Sequence, residues 1–294
     1  MTILITGANG FLGHYLVQQL LLLKYKIIAT GRGESRLLQS HENLIYTSMD
    51  FTDPFAVHDV FEKFQPDIVV HAGAIGNVDE CEKHQWRAYT TNVEGTLTLL
   101  SNAEECRSHF IFVSTDFVFD GETGPYDESS ITNPVNFYGK TKLEAEDAVK
   151  EYHFAWAIVR TVLIYGNNLS GRDNILTAVK KKLSAGETYS AVNDITRTPT
   201  YVEDLAKGIA AIVERKKTGI YHLAGKDELT PYQIVVAAAE YLQLDSSLIK
   251  KVAAADLQAA AKRPRQTVFT LDKARRELDY DPISFEEGLQ KTFT

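Results

Sequence analysis

A tyrosine and a lysine, Tyr138 and Lys142, stand four residues apart in the stretch "NFYGKTKLEAE". On a helix that spacing places both side chains on one face. A cation beside a phenol favours the phenolate and lowers the tyrosine's pKa. A phenol tuned this way can give a proton to a developing alkoxide near neutral pH. Such pairs are common on exposed helices, so the meaning of this one depends on its company. Upstream, "VSTDFVFDG" ends an apolar run with two hydroxyls, Ser114 and Thr115, followed by Asp116. In a doubly wound sheet, ligands bind outside the carboxyl ends of the strands. One of the two hydroxyls can therefore bond a substrate oxygen beside the phenol, and strand alternation sends the two to opposite faces.

A third feature opens the chain. "TGANGFLG" sets Gly7, Gly10 and Gly13 directly after an apolar run. The first permits a tight turn, the second lets backbone approach a pyrophosphate, and the third lets helix and strand pack closely. The helix that starts at Phe11 and Leu12 offers unpaired N–H groups and a positive dipole end to phosphates. Where an NAD site would carry an acidic residue after its second strand, this chain reads "IATGRGESR". Arg32 stands there and can fork onto a 2′-phosphate, which favours NADP(H) over NAD(H). Glu34, two residues on, keeps NAD(H) open.

The elements needed to bring these features together are legible. Apolar runs at 2–6, 26–29, 44–47, 67–71, 110–114 and 157–161 read as strands. Helical patterns separate them at 11–23, within "DPFAVHDVFEKF", at 86–106 and at 136–150. Strands alternating with helices argue for an α/β fold, a Rossmann-type parallel sheet with helices on both faces. Beyond residue 165 the rhythm weakens, with polar loops "GNNLSGRDN" and "NDITRTPT". Helical patterns return at 202–214, 231–242 and 270–278, and a strand at 220–223. The expected organisation is a dinucleotide-binding domain over 1–165, rejoined by 200–225, and a smaller discontinuous substrate lobe within 166–294.

Composition limits the partners. The 294 residues carry 31 basic and 39 acidic side chains, a net charge of −8, which argues against nucleic acid. Two cysteines without metal-ligand spacing fit a reducing, cytoplasmic setting and no metal site. No signal segment or membrane span is expected, since the longest apolar run near the start, "LLLL", is too short.

Taken in order, "TGANGFLG", "PDIVVHAGAIGNVDECE", "TNVEGT", "VSTDFVFDG", "NPVNFYGKTKLEAE", "VRTVLIYG" and "RPRQTVFTLDKARREL" resemble an extended short-chain dehydrogenase/reductase, and more narrowly the dTDP-4-dehydrorhamnose reductase branch. The resemblance spans nearly the whole chain. It implies a catalytic set of Thr115, Tyr138 and Lys142, choosing Thr115 over Ser114, with Lys142 also reaching the nicotinamide ribose. Asp50 and Phe51 would flank the adenine, Ala72, Gly73 and Ala74 would run along the cofactor, and Asn92 would support the active-site helix. Val78, Asp116 and Phe117 would meet the substrate, and Arg197 and Arg263 its diphosphate. Sugar-nucleotide dehydratases of this superfamily carry an acid two positions after the catalytic threonine; here Phe117 stands there, which favours reduction. Two departures fall in the substrate region: Leu163 where a tryptophan is usual, and "RQTVF" after the C-terminal Arg-Pro. The implied activity is NADPH-dependent reduction of a nucleotide-linked 4-keto-6-deoxysugar, by a chain that could form a homodimer. An NAD-retaining epimerase, a regulatory subunit similar to the methionine adenosyltransferase beta subunit, and a reductase of another small carbonyl compound stay open.

Overall fold

Short runs of β-branched and aromatic residues set up the strands, and Gly, Asn and Asp set the turns between them. The computed structural model describes residues 1–171, 173–257 and 259–294; Arg172, in the polar loop after residue 165, lies outside them. The strands are β1 (Thr2–Thr6), β2 (Lys26–Gly31), β3 (Leu44–Ser48), β4 (Ile68–His71), β5 (His109–Thr115), β6 (Trp156–Thr161), β7 (Ile164–Tyr165), β8 (Tyr189–Val192), β9 (Thr196–Arg197), β10 (Thr200–Tyr201), β11 (Gly219–His222), β12 (Ile249–Val252) and β13 (Gln266–Thr267). The α-helices are α1 (Phe11–Leu22), α2 (Pro54–Phe64), α3 (Val78–Lys83), α4 (Gln85–Tyr89), α5 (Gly95–Cys106), α6 (Phe137–Lys150), α7 (Ile175–Ser184), α8 (Val202–Glu214), α9 (Pro231–Tyr241), α10 (Asp272–Leu278) and α11 (Phe285–Phe293).

Seven strands form one sheet in the order β11-β6-β5-β4-β1-β2-β3, every neighbouring pair parallel. This is the α/β Rossmann-type arrangement expected. Parallel strands need crossovers that cover both faces, and β1 shows the result. Ile3 and Ile5 join one core with Leu16 and Leu20 of α1 and Ile209 of α8. Leu4 joins the opposite core with Val57, Leu99, Phe110 and Val149. A third core gathers Leu176 and Val179 of α7, Ile234 and Val235 of α9, and Phe285 and Leu289 of α11. Three small parallel pairs, β10 with β7, β12 with β8 and β13 with β9, form separate two-stranded sheets outside the main one.

The structure adds to and differs from the sequence expectation, chiefly in its helices and in the short strands after residue 161. The helix expected over 86–106 is broken by a π-helical turn at Thr90–Glu94, between α4 and α5. The extra residue leaves the apolar period nearly intact, so the pattern alone does not show it. Helices α7 and α11 fall where the sequence pattern assigns no element. Each is short and starts at a capping box, Asn174 with Thr177 and Ser284 with Glu287. No helix among the described residues is long and apolar enough to cross a membrane.

Candidate functional site

The turn after β1 and the start of α1 form the floor of a groove at the sheet's carboxyl end. Gly7 has φ +72°, and a Cβ there would lie 2.8 Å from the Gly73 nitrogen; a Cβ on Gly13 would lie 2.2 Å from the Gly7 carbonyl oxygen. Neither position accepts a side chain without moving backbone. No side chain caps the N-terminus of α1, whose N-cap is Gly10. The Phe11 and Leu12 backbone sits at this end, while the Leu12 side chain is buried in the core. The groove is lined further by Arg32, Arg36, Met49, Phe51 and the run Ala72, Gly73, Ala74.

Arg32 and Arg36 ride on the loop after β2, which distant side chains hold in shape. Asn9 Nδ2 donates to the Glu34 carbonyl and to the Tyr46 hydroxyl, and the Arg36 N–H donates to Asn9 Oδ1. The Tyr46 hydroxyl in turn donates to the Gly31 and Gly33 carbonyls. Arg36 went unread in the sequence, although a second basic residue four positions after Arg32 was the signal for it. Asp50 sits between the lining residues Met49 and Phe51, and its Oδ1 accepts from the Thr52 N–H and hydroxyl. A glycine-floored groove with an uncapped helix end and two arginines at its rim fits a phosphorylated dinucleotide.

Thr115 ends β5, and Tyr138 and Lys142 lie one turn apart on α6. Helix α6 is fixed at its start by Asn136, which accepts from the Gly139 N–H, and by Glu82, which accepts from the Phe137 N–H. Asn92, in the π-helical turn, donates to the Thr141 hydroxyl on α6 and to the Ile75 carbonyl, and accepts from the Ile75 N–H. The Thr115 hydroxyl donates to Asp116 Oδ1 at 3.1 Å and accepts from the Phe117 N–H. Ser114 faces away: its hydroxyl donates to buried Glu146 at 2.5 Å.

Burial pushes the Tyr138 phenol well up from its ordinary value; the Thr115 hydroxyl beside it acts in the opposite direction, and the Asp116 charge adds to the rise. This corrects the expectation of a phenol lowered by Lys142. The Lys142 ammonium instead donates to the Val113 carbonyl at 2.8 Å and lies 3.8 Å from the Phe112 ring centroid. Burial brings Lys142 itself down to about 7, with Glu146 opposing the fall.

Beyond Thr115 lies a cavity of about 200 Å³ lined by Phe117, Leu163, Ile175, Ile195 and Leu257, with Asp116, Arg197 and Arg263 among its polar edges. Leu163 has φ +32°, a region bulky residues rarely enter. The Phe117 ring stands edge-on to Tyr138 with centroids 5.8 Å apart. Asp116 accepts from the Thr267 hydroxyl and pairs with Arg197 Nε at 3.4 Å. Burial pushes its carboxyl up, opposed by Arg197.

A comparison with protein-family models matches residues 1–294 to the RmlD substrate binding domain. The chain belongs to this family. The dTDP-4-dehydrorhamnose reductase of Bacillus anthracis str. Ames, solved in complex with NADP, is similar over 99% of this chain and 98% of its own, with TM-score 0.88 and 28% identity. Among curated proteins, methionine adenosyltransferase 2 subunit beta of Bos taurus is 31% identical over 281 residues, 94% of this chain and 81% of its own. A probable low-salt glycan biosynthesis reductase, Agl14 of Haloferax volcanii, is 28% identical over 97% of this chain and 95% of its own.

Within this RmlD-family chain, neither expected diphosphate arginine presents an open fork. Arg197 donates to the Thr196, Arg265 and Pro264 carbonyls. Arg263 grips both oxygens of Asp79 at 2.9 and 2.6 Å and donates to the Ala261 carbonyl. Val78 opens α3, one residue before Asp79. The bonds from Arg263 hold the Asp79 carboxyl down, from 3.8 to about 2. A depressed carboxylate contributes stability that is complete above its unfolded value and is lost as pH falls through the folded one. The pair is partly solvated, so the contribution is at most ~1 kcal/mol. Thermal melts of wild type and Asp79→Asn are therefore expected to converge as pH is lowered from about 4 towards about 2. A gap that persists in acid would contradict the assignment.

Proposed function

We propose that the protein is an NADPH-dependent reductase of a nucleotide-linked 4-keto-6-deoxysugar. The observation that carries this reading is the meeting of the Thr115 hydroxyl and the Tyr138 phenol at the end of β5, beside the glycine-floored groove with Arg32 and Arg36 at its rim. NADPH, when bound, supplies the hydride. The chain's own work is placement and proton delivery. Gly7, Gly10 and the start of α1 would take the pyrophosphate, Arg32 and Arg36 the 2′-phosphate, and Met49, Phe51 and Gly73 the adenine side.

The Tyr138 phenol, protonated at neutral pH, is in the form a reductase needs: it donates its proton to the substrate oxygen that Thr115 orients. The tyrosinate left behind is costly in a buried site unless a cation answers it. Lys142, one turn along α6, is the cation the chain offers for that role, although its ammonium bonds the Val113 carbonyl while the phenol is protonated. Its ammonium loses its proton as pH rises through about 7. The value of kcat/KM for reduction is therefore expected to fall on the alkaline side of neutrality. Phe117 offers no acid for elimination, which separates this reading from dehydration. The test is to mix the protein, NADPH and freshly made dTDP-4-keto-6-deoxysugar and follow loss of reduced-nicotinamide absorbance. No turnover on that substrate would overturn the reading.

A second reading has its own support, the 31% identity over 94% of the chain to the beta subunit of methionine adenosyltransferase 2. A regulatory subunit of that kind would bind a partner enzyme and turn over no keto-sugar; the same assay, run beside a binding measurement with a methionine adenosyltransferase catalytic subunit, separates the two.

A further inference from the structure

We infer that Glu146 is a positioning residue for the Tyr138–Lys142 pair: held between β5 and β6, its carboxylate sets a fixed negative charge one helical turn from Lys142. The inference rests on the reading of Tyr138 and Lys142 given above. Glu146 lies one turn after Lys142 on α6 and is 0% exposed. Its Oε1 accepts from the Ser114 hydroxyl at 2.5 Å and from Arg160 Nε at 3.0 Å, and its Oε2 accepts from Arg160 Nη2 at 2.7 Å. Ser114 and Arg160 are register partners on adjacent strands. Three consecutive residues of β5 thus engage the site: the Val113 carbonyl takes Lys142, Ser114 takes Glu146, and Thr115 lies beside the phenol.

A buried ion pair is weak evidence for stability, because apolar side chains of similar volume usually serve as well. This one sits one helical turn from a lysine whose charge burial disfavours. The other titratable groups around Lys142 are His71 on β4 and Cys81 on α3, with Tyr138 on its own helix and Arg160 behind Glu146. Burial and Lys142 keep His71 neutral, and burial raises the Cys81 thiol to about 11. Glu146 is then the carboxylate that answers the ammonium.

The experiment labels lysine side chains with ¹³C at Cε and follows the Lys142 resonance by NMR through neutral pH. The resonance is assigned by its loss in Lys142→Arg. Removing the carboxylate in Glu146→Gln is expected to lower the titration midpoint by about one unit, a tenfold change in the proton equilibrium. Because that variant strands Arg160, Glu146→Gln/Arg160→Met is measured too. Its midpoint is expected to fall by less, since a repelling cation leaves with the carboxylate. The alkaline limb of kcat/KM should move with the midpoint in each variant. A folded variant with the wild-type midpoint and pH profile, even with a lower melting temperature, overturns the proposal and makes Glu146 merely structural. A shifted midpoint in a protein that reduces no keto-sugar overturns the functional reading and leaves the Glu146–Lys142 coupling supported.

Discussion

Tyr138→Phe is expected to abolish reduction while leaving NADPH binding largely intact. The substitution removes one oxygen and nothing else. The ring keeps its edge-on contact with Phe117 and opens no large void. What disappears is the proton that the substrate oxygen must receive as hydride arrives. General acid catalysis by a placed side chain is worth about 10²–10⁴-fold, and the loss should fall wholly on kcat. Single-turnover loss of reduced-nicotinamide absorbance measures the chemistry, and a fluorescence titration with NADPH measures binding. Undiminished turnover in this variant would remove Tyr138 from the mechanism. A loss of NADPH binding as large as the loss of rate would instead assign the tyrosine to the cofactor site.

The second large effect concerns which cofactor is used. Arg32 and Arg36 lie together at the groove's rim, on a loop held by Asn9 and Tyr46. Hydrogen bonds to a charged group are each worth about 1.5–3 kcal/mol. Both arginines are exposed, so solvent and salt draw their values to the lower end. Replacing both by alanine is expected to weaken NADPH binding by roughly 100-fold, with about 1.5 kcal/mol from each. NADH, which lacks the 2′-phosphate, should bind the two forms alike. Raising the salt concentration should reduce the wild type's preference for NADPH and leave the variant indifferent. Equal affinity of the wild type for NADPH and NADH would show that the arginines do not read that phosphate.

Much of the fold was written locally. Continuous apolar runs mark β1, β2, β5 and β6, because strands of a parallel sheet are covered on both faces. The glycine turn is legible because only a residue without a Cβ can hold φ +72° at Gly7 with the Gly73 backbone so near. The spacing of Tyr138 and Lys142 likewise announces a shared helix face. Arg36 was legible in kind but passed over, and the capping boxes of α7 and α11 were short signals in polar surroundings.

The sequence by itself determined the order of strands and helices, the turn that faces a phosphate, and the residue types available for proton transfer. Only the tertiary structure decided what each polar group does. It turned Ser114 away from the site by giving its hydroxyl to Glu146, and it closed the forks of Arg197 and Arg263 on protein oxygens. It also sent the Lys142 ammonium to the Val113 carbonyl, so that burial rather than a neighbouring cation governs the phenol. The reason is range. Backbone periodicity arises within a few residues, whereas a buried donor must find its acceptor wherever the chain crosses. Thr267 reaches Asp116 across 151 residues of sequence, and Arg263 reaches Asp79 across 184.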